Sequence, residues 1–278
     1  MEKPTIVYIV GLGHSGSTLL DLLLGSHTQV TSVGELGALS SKDREGFREL
    51  VLRESPCVCG TPSKFDCPFW SEIDRRLQQE HATSLMKIDL RAPLREDLIA
   101  ANRALYSTIS ELTGHRYVVD SSKSRIRLRS LIEANFDVRP THLVREPHGV
   151  VYSNVRKGRS WWYWSRHYTS VTLKTRRLLA AHPHLFVRYE DLATDPEATV
   201  RRILEWLGLE FEPAQLRWTD FDHHHLSGNR MRFSSDPSIR IDRSWQEGLS
   251  RSQRLAISAL TLPSRAIVRA PRNKSDRT

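Results

Sequence analysis

Hydrophobic and polar positions along this chain fall into two alternating kinds of block. Short runs of β-branched and aliphatic residues end in glycine, hydroxyl or charged residues, and stretches with helical apolar spacing follow them. Thr5 to Val10 is the first such run and predicts a buried parallel strand. It breaks into Gly11-Leu12-Gly13-His14-Ser15-Gly16, and a helix with a broad apolar face follows, carrying Leu19, Leu20, Leu22, Leu23 and Leu24. A second short strand is expected at Val30 to Val33, ending in Gly34-Glu35-Leu36-Gly37. Residues 71–113 carry apolar groups at helical spacing and predict two helices. Further core strands are expected at 116–120, running into Ser121-Ser122-Lys123-Ser124, and at 140–145, followed by Glu146-Pro147 and a helix from Gly149 to Arg156. This alternation predicts an α/β fold, a single domain with a mostly parallel sheet flanked by helices on both faces. In such a fold the site lies at the carboxyl ends of the strands.

A length of 278 residues fits one such domain, here 1–268, with an irregular charged insertion at about 40–70 packed down by Phe65, Phe69 and Trp70. Residues 269–278 are polar and basic and are expected to form a flexible tail. The net charge of +9 comes mostly from arginine, which suits bidentate recognition of phosphate or sulfate. The arginines are scattered rather than gathered in one tract and no nucleic-acid module is legible, so nucleic acid is not the expected partner. No apolar segment reaches membrane-spanning length and no secretory leader is legible, so a cytoplasmic location without stable membrane insertion is expected.

Candidate chemistry starts at the first glycine turn. Strand, glycine-rich turn and helix N-terminus in that order converge backbone N–H groups on an anion, and the helix dipole favours its charge. Gly11 to Gly16 followed by Ser17-Thr18 has the spacing of the ATP-type phosphate loop, but Ser17 stands where that loop has lysine. The lysine reaches the β- and γ-phosphates, so its absence points to a nucleotide with a short 5′ chain rather than a triphosphate. Glu35, between two glycines past a strand end, is either a ligand-facing carboxylate or a solvated turn residue. Lys123 can stabilise charge on a transferring group, and the plainer reading of its neighbours is a helix cap at Ser121 or Ser122. Arg145 at a strand end and Ser153 two helical turns on can point at one phosphate.

Cys57, Cys59 and Cys67 lie within eleven residues. They could clip the insertion with a metal or with one reversible disulfide; zinc in a structural site wants four protein ligands, so a histidine would have to come from elsewhere, and free, partly buried thiols are the favoured reading, with no metal site assigned. His223, His224 and His225 are read as a loop, because three consecutive side chains share no face of a helix or strand. Trp161-Trp162-Tyr163-Trp164 reads equally as an acceptor wall or as a helix buried on its aromatic side.

Together these segments resemble the sulfotransferases that use 3′-phosphoadenosine 5′-phosphosulfate (PAPS). GLGHSGSTLLDLLLGSH resembles the 5′-phosphosulfate loop of that family, and LVREPHGVVYSNVRKG resembles its 3′-phosphate motif. Residues 186–213 and HHHLSGNRMRF resemble its later strand-loop-helix and nucleotide loop, so the likeness spans residues 5 to about 250. It implies that Gly13, His14, Ser15, Gly16, Ser17 and Thr18 cradle the 5′-phosphosulfate. Arg145 and Ser153 would hold the 3′-phosphate, with Gly228, Asn229, Arg230 and Arg232 closing over that end. Glu35 matches the place where the protein-tyrosine branch of the family carries its base, and Lys123 lies near a lysine that contacts the sulfuryl group. His14 departs from the lysine or arginine common at its position; a histidine changes charge near neutral pH, which makes activity pH-sensitive.

The implied activity is sulfuryl transfer from PAPS to a hydroxyl, or in second place an amine, of a small molecule or saccharide. Adenosine 3′,5′-bisphosphate (PAP) is the product, Glu35 the base, and no metal is required for the transfer. The rival readings are a kinase-like phosphate-loop enzyme, for which Asp120 would supply the Mg²⁺ carboxylate, and a non-catalytic nucleotide-binding protein. The acceptor is not legible, and a homodimer is one assembly left open.

Overall fold

The computed structural model describes residues 3–40, 48–88 and 96–268. Strand β1 (Thr5–Gly11) has the unbroken apolar run of a strand covered on both faces, and Ile6 to Val10 are fully buried. Helix α1 (Ser17–Gly25) follows, then strand β2 (Val30–Ser32), helices α2 (Pro68–His81) and α3 (Glu96–Thr113), and strand β3 (Tyr117–Lys123). Helix α4 (Arg125–Glu133), strand β4 (Val138–Val144), helices α5 (Pro147–Val155) and α6 (Trp161–Leu179), and strand β5 (Leu185–Arg188) continue the alternation. The chain closes through α7 (Tyr189–Thr194), α8 (Pro196–Leu207), α9 (Trp245–Gly248), α10 (Arg251–Leu260) and α11 (Leu262–Val268).

Among the described residues, five strands form one parallel sheet in the order β2-β3-β1-β4-β5. Val30 pairs with Tyr117 and Thr141 with Leu185 in parallel register. The strand order reverses at β1, so the turn leaving its carboxyl end is where an open parallel sheet binds ligands.

Several boundaries differ from expectation. Strand β3 runs on through Ser121, Ser122 and Lys123, because Ser121 N–H donates to the Gly34 carbonyl at 2.9 Å and prolongs the pairing past Val119. The cap of α4 is therefore Ser124, whose hydroxyl accepts from Arg127 N–H at 3.3 Å, and neither Ser121 nor Ser122. Strand β4 starts at Val138, two residues early, and α2 starts at Pro68, inside the expected insertion. Residues 41–47 of that insertion and the expected tail at 269–278 lie outside the described residues.

Contacts concentrate in two compact units. The first comprises Met1–Ile9, Thr18–Pro140 and Glu212–Pro237; the second comprises Val10–Ser17, Thr141–Phe211 and Ser238–Thr278. In the first, Arg127 is buried with its charge consumed internally. It donates to Asp120 at 3.2 Å, to the Tyr106 hydroxyl at 2.8 Å and to Asn102 at 3.1 Å. A buried guanidinium needs such complete satisfaction, since each unpaired donor would carry its full desolvation cost. In the second, Trp161 and Trp164 pack beside Val151, Leu249 and Ile257, whereas Trp162 and Tyr163 are 49% and 54% exposed. The aromatic run is thus a helix with one buried side and one open side.

Candidate active site

In the second unit the turn after β1 takes the shape that an anion cradle needs. His14 and Gly16 have φ of +67° and +89°, the left-handed region, which turns successive backbone N–H groups toward one side. Ser15 and Ser17 are nearly buried within the turn and α1 begins at Ser17. Glycine is required at two of these positions. A Cβ on Gly11 would meet the Leu143 carbonyl oxygen at 2.3 Å, and one on Gly16 would meet the Tyr189 ring at 2.5 Å. Gly13 has nothing within 4 Å of its would-be Cβ, so space does not demand glycine there.

Arg145 leaves the end of β4 beside this turn. Its Nη1 donates to the His14 carbonyl at 3.0 Å, and its Nη2 donates to the Asp242 carboxylate at 2.9 Å and carbonyl at 3.0 Å. The guanidinium lies 4.4 Å from the centroid of the Tyr189 ring. Gly149 makes room for it, since a Cβ there would fall 2.6 Å from Nε. Partial burial works against the charge of Asp242, but hydrogen bonds from Ser244 and Arg145 outweigh it and hold the carboxyl at about 2. Ser153 donates to the Gly149 carbonyl at 2.8 Å, so its hydroxyl is turned onto its own helix while Arg145 is turned onto Asp242. Lys157 reaches the same turn from the end of α5, with Nζ 3.2 Å from His14 Nε2. An ammonium has no lone pair, so His14 Nε2 is the acceptor of that bond.

In the first unit Glu35 and Lys123 form an ion pair. Glu35 N–H donates to the Ser227 carbonyl at 3.2 Å, and Gly34 has φ of +72° with no room for a Cβ against Ser227. Lys123 also has a positive φ, +64°, which turns its side chain at the strand end; Nζ donates to the Ser121 carbonyl at 3.3 Å as well. Thr18 Oγ1 accepts from Asn229 N–H at 3.1 Å, and Arg232 donates to the carbonyls of Gly228 and Asn229. The Asn229 side chain caps the short turn Arg230–Phe233, and Arg230 is exposed. Each unit therefore gathers its own predicted residues: His14 with Arg145 in one, Glu35 with Lys123 and Thr18 with Gly228, Asn229 and Arg232 in the other.

Asp120, expected at a site, is instead fully buried under Arg127, Tyr106 and Ser122. A different buried carboxyl lies nearby. Asp21 accepts from Ser32 at 2.7 Å and from Ser121 at 2.6 Å, and Ser32 also bonds His225. Burial pushes Asp21 up to about 7, with the two hydroxyls holding it lower than burial alone would. Burial pushes His225 well below its ordinary value, so it is neutral. Cys57, Cys59 and Cys67 form no disulfide, and the histidine that a fourth ligand would require lies beside them as His224, from the expected loop.

Sequence reading missed Asp242, Lys157 and Tyr189 as neighbours of the anion turn. The 3′-phosphate-like segment contains Lys157, but nothing local says that it turns back to His14. Asp242 lies in an irregular stretch with no periodic signal.

The profile of the sulfotransferase family matches residues 4–213. Among solved structures, the chain is similar to the sulfotransferase domain of the Synechococcus PCC 7002 olefin synthase. That match has a TM-score of 0.57 at 21% identity and covers 94% of this chain and 95% of that one. The sulfotransferase domain from the curacin biosynthetic pathway matches with a TM-score of 0.57 at 19% identity, over 93% of this chain and 98% of that one. A sulfotransferase from Alicyclobacillus acidocaldarius matches over the full length of both chains with a TM-score of 0.50 at 16% identity. At these identities the likeness is one of fold. A search of curated proteins finds no match. No helix among the described residues is long and apolar enough to cross a membrane.

Proposed function

Because this chain belongs to the sulfotransferase family, we propose that it moves a sulfuryl group from PAPS to a hydroxyl, or in second place an amine, of a small-molecule or saccharide acceptor. The observation that carries the donor assignment is the bond from Arg145 to the His14 carbonyl: a guanidinium is tied to the very turn whose backbone N–H groups form the anion cradle. Ser17 in place of the kinase lysine fits a donor without a β,γ-phosphate.

In this reading Gly13, His14, Ser15, Gly16, Ser17 and Thr18 hold the 5′-phosphosulfate, and Arg145 with Ser153 holds the 3′-phosphate. Gly228, Asn229, Arg230 and Arg232 contribute at the 3′ end. The acceptor oxygen forms a bond to sulfur as the bond from sulfur to the leaving phosphate oxygen breaks. Glu35 takes the acceptor proton, and His14 and Lys123 offset charge on the leaving phosphate and the sulfuryl oxygens. Catalysis of this kind is mainly positioning and electrostatic stabilisation, and it uses no metal. The likeness between this turn and kinase loops favours a second reading as a kinase, but the carboxylate that would hold Mg²⁺, Asp120, is engaged by Arg127. A cytoplasmic location is part of this reading.

Calorimetric titration tests the donor. PAP is expected to bind wild type tightly and Arg145→Ala weakly, with ATP and Mg²⁺ binding neither. Tight binding of ATP with Mg²⁺ instead overturns the assignment.

A further inference from the structure

Within the first unit, four side chains with metal-ligating atoms converge from segments distant in sequence. Cys57, Cys59, Cys67 and His224 place their sulfur and nitrogen atoms all within 4.8 Å of one another. Cys59 Sγ lies 3.6 Å from Cys67 Sγ, and His224 Nδ1 lies 3.3 Å from Cys67 Sγ and 3.9 Å from Cys57 Sγ. A tetrahedral zinc ion with Zn–S near 2.3 Å and Zn–N near 2.0 Å sets edges of about 3.8 Å between sulfurs and about 3.6 Å between sulfur and nitrogen. The Cys59–Cys67, His224–Cys67 and His224–Cys57 separations each fall within about 0.3 Å of those edges, and the other pairs lie within 4.8 Å. We infer that Cys57, Cys59, Cys67 and His224 form a structural zinc site.

The surroundings fit the charge and shape of such a site. Three thiolates around Zn²⁺ leave one net negative charge, which needs a counter-cation in a buried setting. Lys64 is fully buried and donates to the Ser55 and Pro56 carbonyls at 3.0 and 2.6 Å; burial lowers its pKa, and negative charge on Cys57, Cys67 and Cys59 works the other way. The imidazole of His224 is fixed from outside: its ring stacks on Phe69 at 4.7 Å with 9° between planes, and Trp70 Nε1 donates to its backbone carbonyl at 2.6 Å. Fixing a ligand by groups around it is the usual support for a metal histidine.

The cysteine spacing, C-x-C, is one residue tighter than the usual zinc knuckle. A tight turn accommodates it. Cys57 N–H donates to Thr61 O at 2.9 Å, Gly60 N–H donates back to Cys57 O at 3.1 Å, and Gly60 takes φ of +91°. Cys67 sits at the start of α2, a fourteen-residue helix whose dipole favours its thiolate. Soft thiolates in a closed tetrahedral set with one imidazole select zinc over magnesium or calcium. All four ligand positions are filled by protein, which marks a structural rather than a catalytic ion. The ion would pin the insertion to the loop that carries His224, Gly228 and Asn229.

The test is elemental analysis of the full chain, expressed in zinc-supplemented medium and exchanged into metal-free buffer. About one zinc per chain is expected, with no more than about a tenth remaining in Cys59→Ala or His224→Ala. Cys59→His, which restores a fourth ligand, is expected to keep the metal. Should the alanine variants not fold, the wild-type chain decides alone. Cobalt exchange should give the intense visible bands of a tetrahedral thiolate site, and a thiol reagent should react with the cysteines only after chelation. A wild-type chain that lacks metal, with all three thiols freely reactive or two of them joined as a disulfide, overturns the inference. Full zinc occupancy in both folded alanine variants overturns it as well.

Discussion

Arg145 and Asp242 form a salt bridge at 2.9 Å although they are 97 positions apart in sequence. The carboxylate takes the Nη2 donor of the arginine proposed to hold the 3′-phosphate, and it also accepts from Ser244 Oγ at 2.6 Å. Donor binding on that reading must exchange one anion for another on the same arginine. Loss of Arg145 removes charge-assisted hydrogen bonds of about 1.5–3 kcal/mol, a fall in PAP affinity of roughly 10- to 100-fold for Arg145→Ala. Asp242→Asn is expected to act oppositely and tighten PAP several-fold, because the competing charge is gone. Titration calorimetry on both variants reads the difference; weaker binding in Asp242→Asn would mean that the carboxylate positions Arg145 rather than competes for it.

Glu35 is held in place by its ion pair with Lys123 and by its backbone bond to Ser227. A general base contributes about 10²- to 10⁴-fold. Glu35→Gln is therefore expected to lower kcat within that range while PAP affinity stays within about two-fold of wild type. Steady-state kinetics beside calorimetry separate the two quantities. An unchanged kcat removes Glu35 from the role of base.

Gly16 and Gly13 give a matched pair of tests on the phosphate turn. Gly16→Ala forces a left-handed Cβ, a cost of about 1–2 kcal/mol, and drives it against Tyr189, whereas Gly13→Ala meets empty space. PAP affinity should fall at least ten-fold in Gly16→Ala and little in Gly13→Ala, with thermal melts confirming that both are folded. Equal effects would show that the turn does not grip the ligand through its backbone shape.

Asp21 makes stability depend on pH in a direction opposite to that of a salt-bridged carboxylate. Its folded-state value of about 7 lies above the ordinary 3.8, so the folded chain binds the proton more tightly than the unfolded chain. Its contribution is most favourable below about 3.8 and is lost as pH rises toward about 7, levelling off above that. At about 1.4 kcal/mol per pKa unit the loss is roughly 4 kcal/mol at most. Asp21→Asn adds a constant offset from altered hydrogen bonding to Ser32 and Ser121 but removes the slope. Urea unfolding at a series of pH values is expected to give a stability gap, variant minus wild type, that grows from pH 4 to pH 7 and is flat beyond. A gap independent of pH would mean that Asp21 does not titrate in this range.

What the sequence alone determined is the part of this protein written in local chemistry. The apolar run of β1, the left-handed turn at Gly16, the serine in place of the kinase lysine and the proline opening α5 all act within a few residues. Periodicity and backbone preference therefore expose them directly. Boundaries failed where the chain beyond a partner strand prolonged one, as the Gly34 carbonyl past β2 does for β3. Only the tertiary structure decided which side chains meet. Asp242 on Arg145, Lys157 on His14 and His224 among the cysteines join positions separated by 97, 143 and 157 residues. Such pairings follow from how the strands and loops stack, a long-range property that leaves no period in the chain. Asp120 makes the same point from the other side: an acid at a strand end looks like site chemistry until the fold lays Arg127 over it.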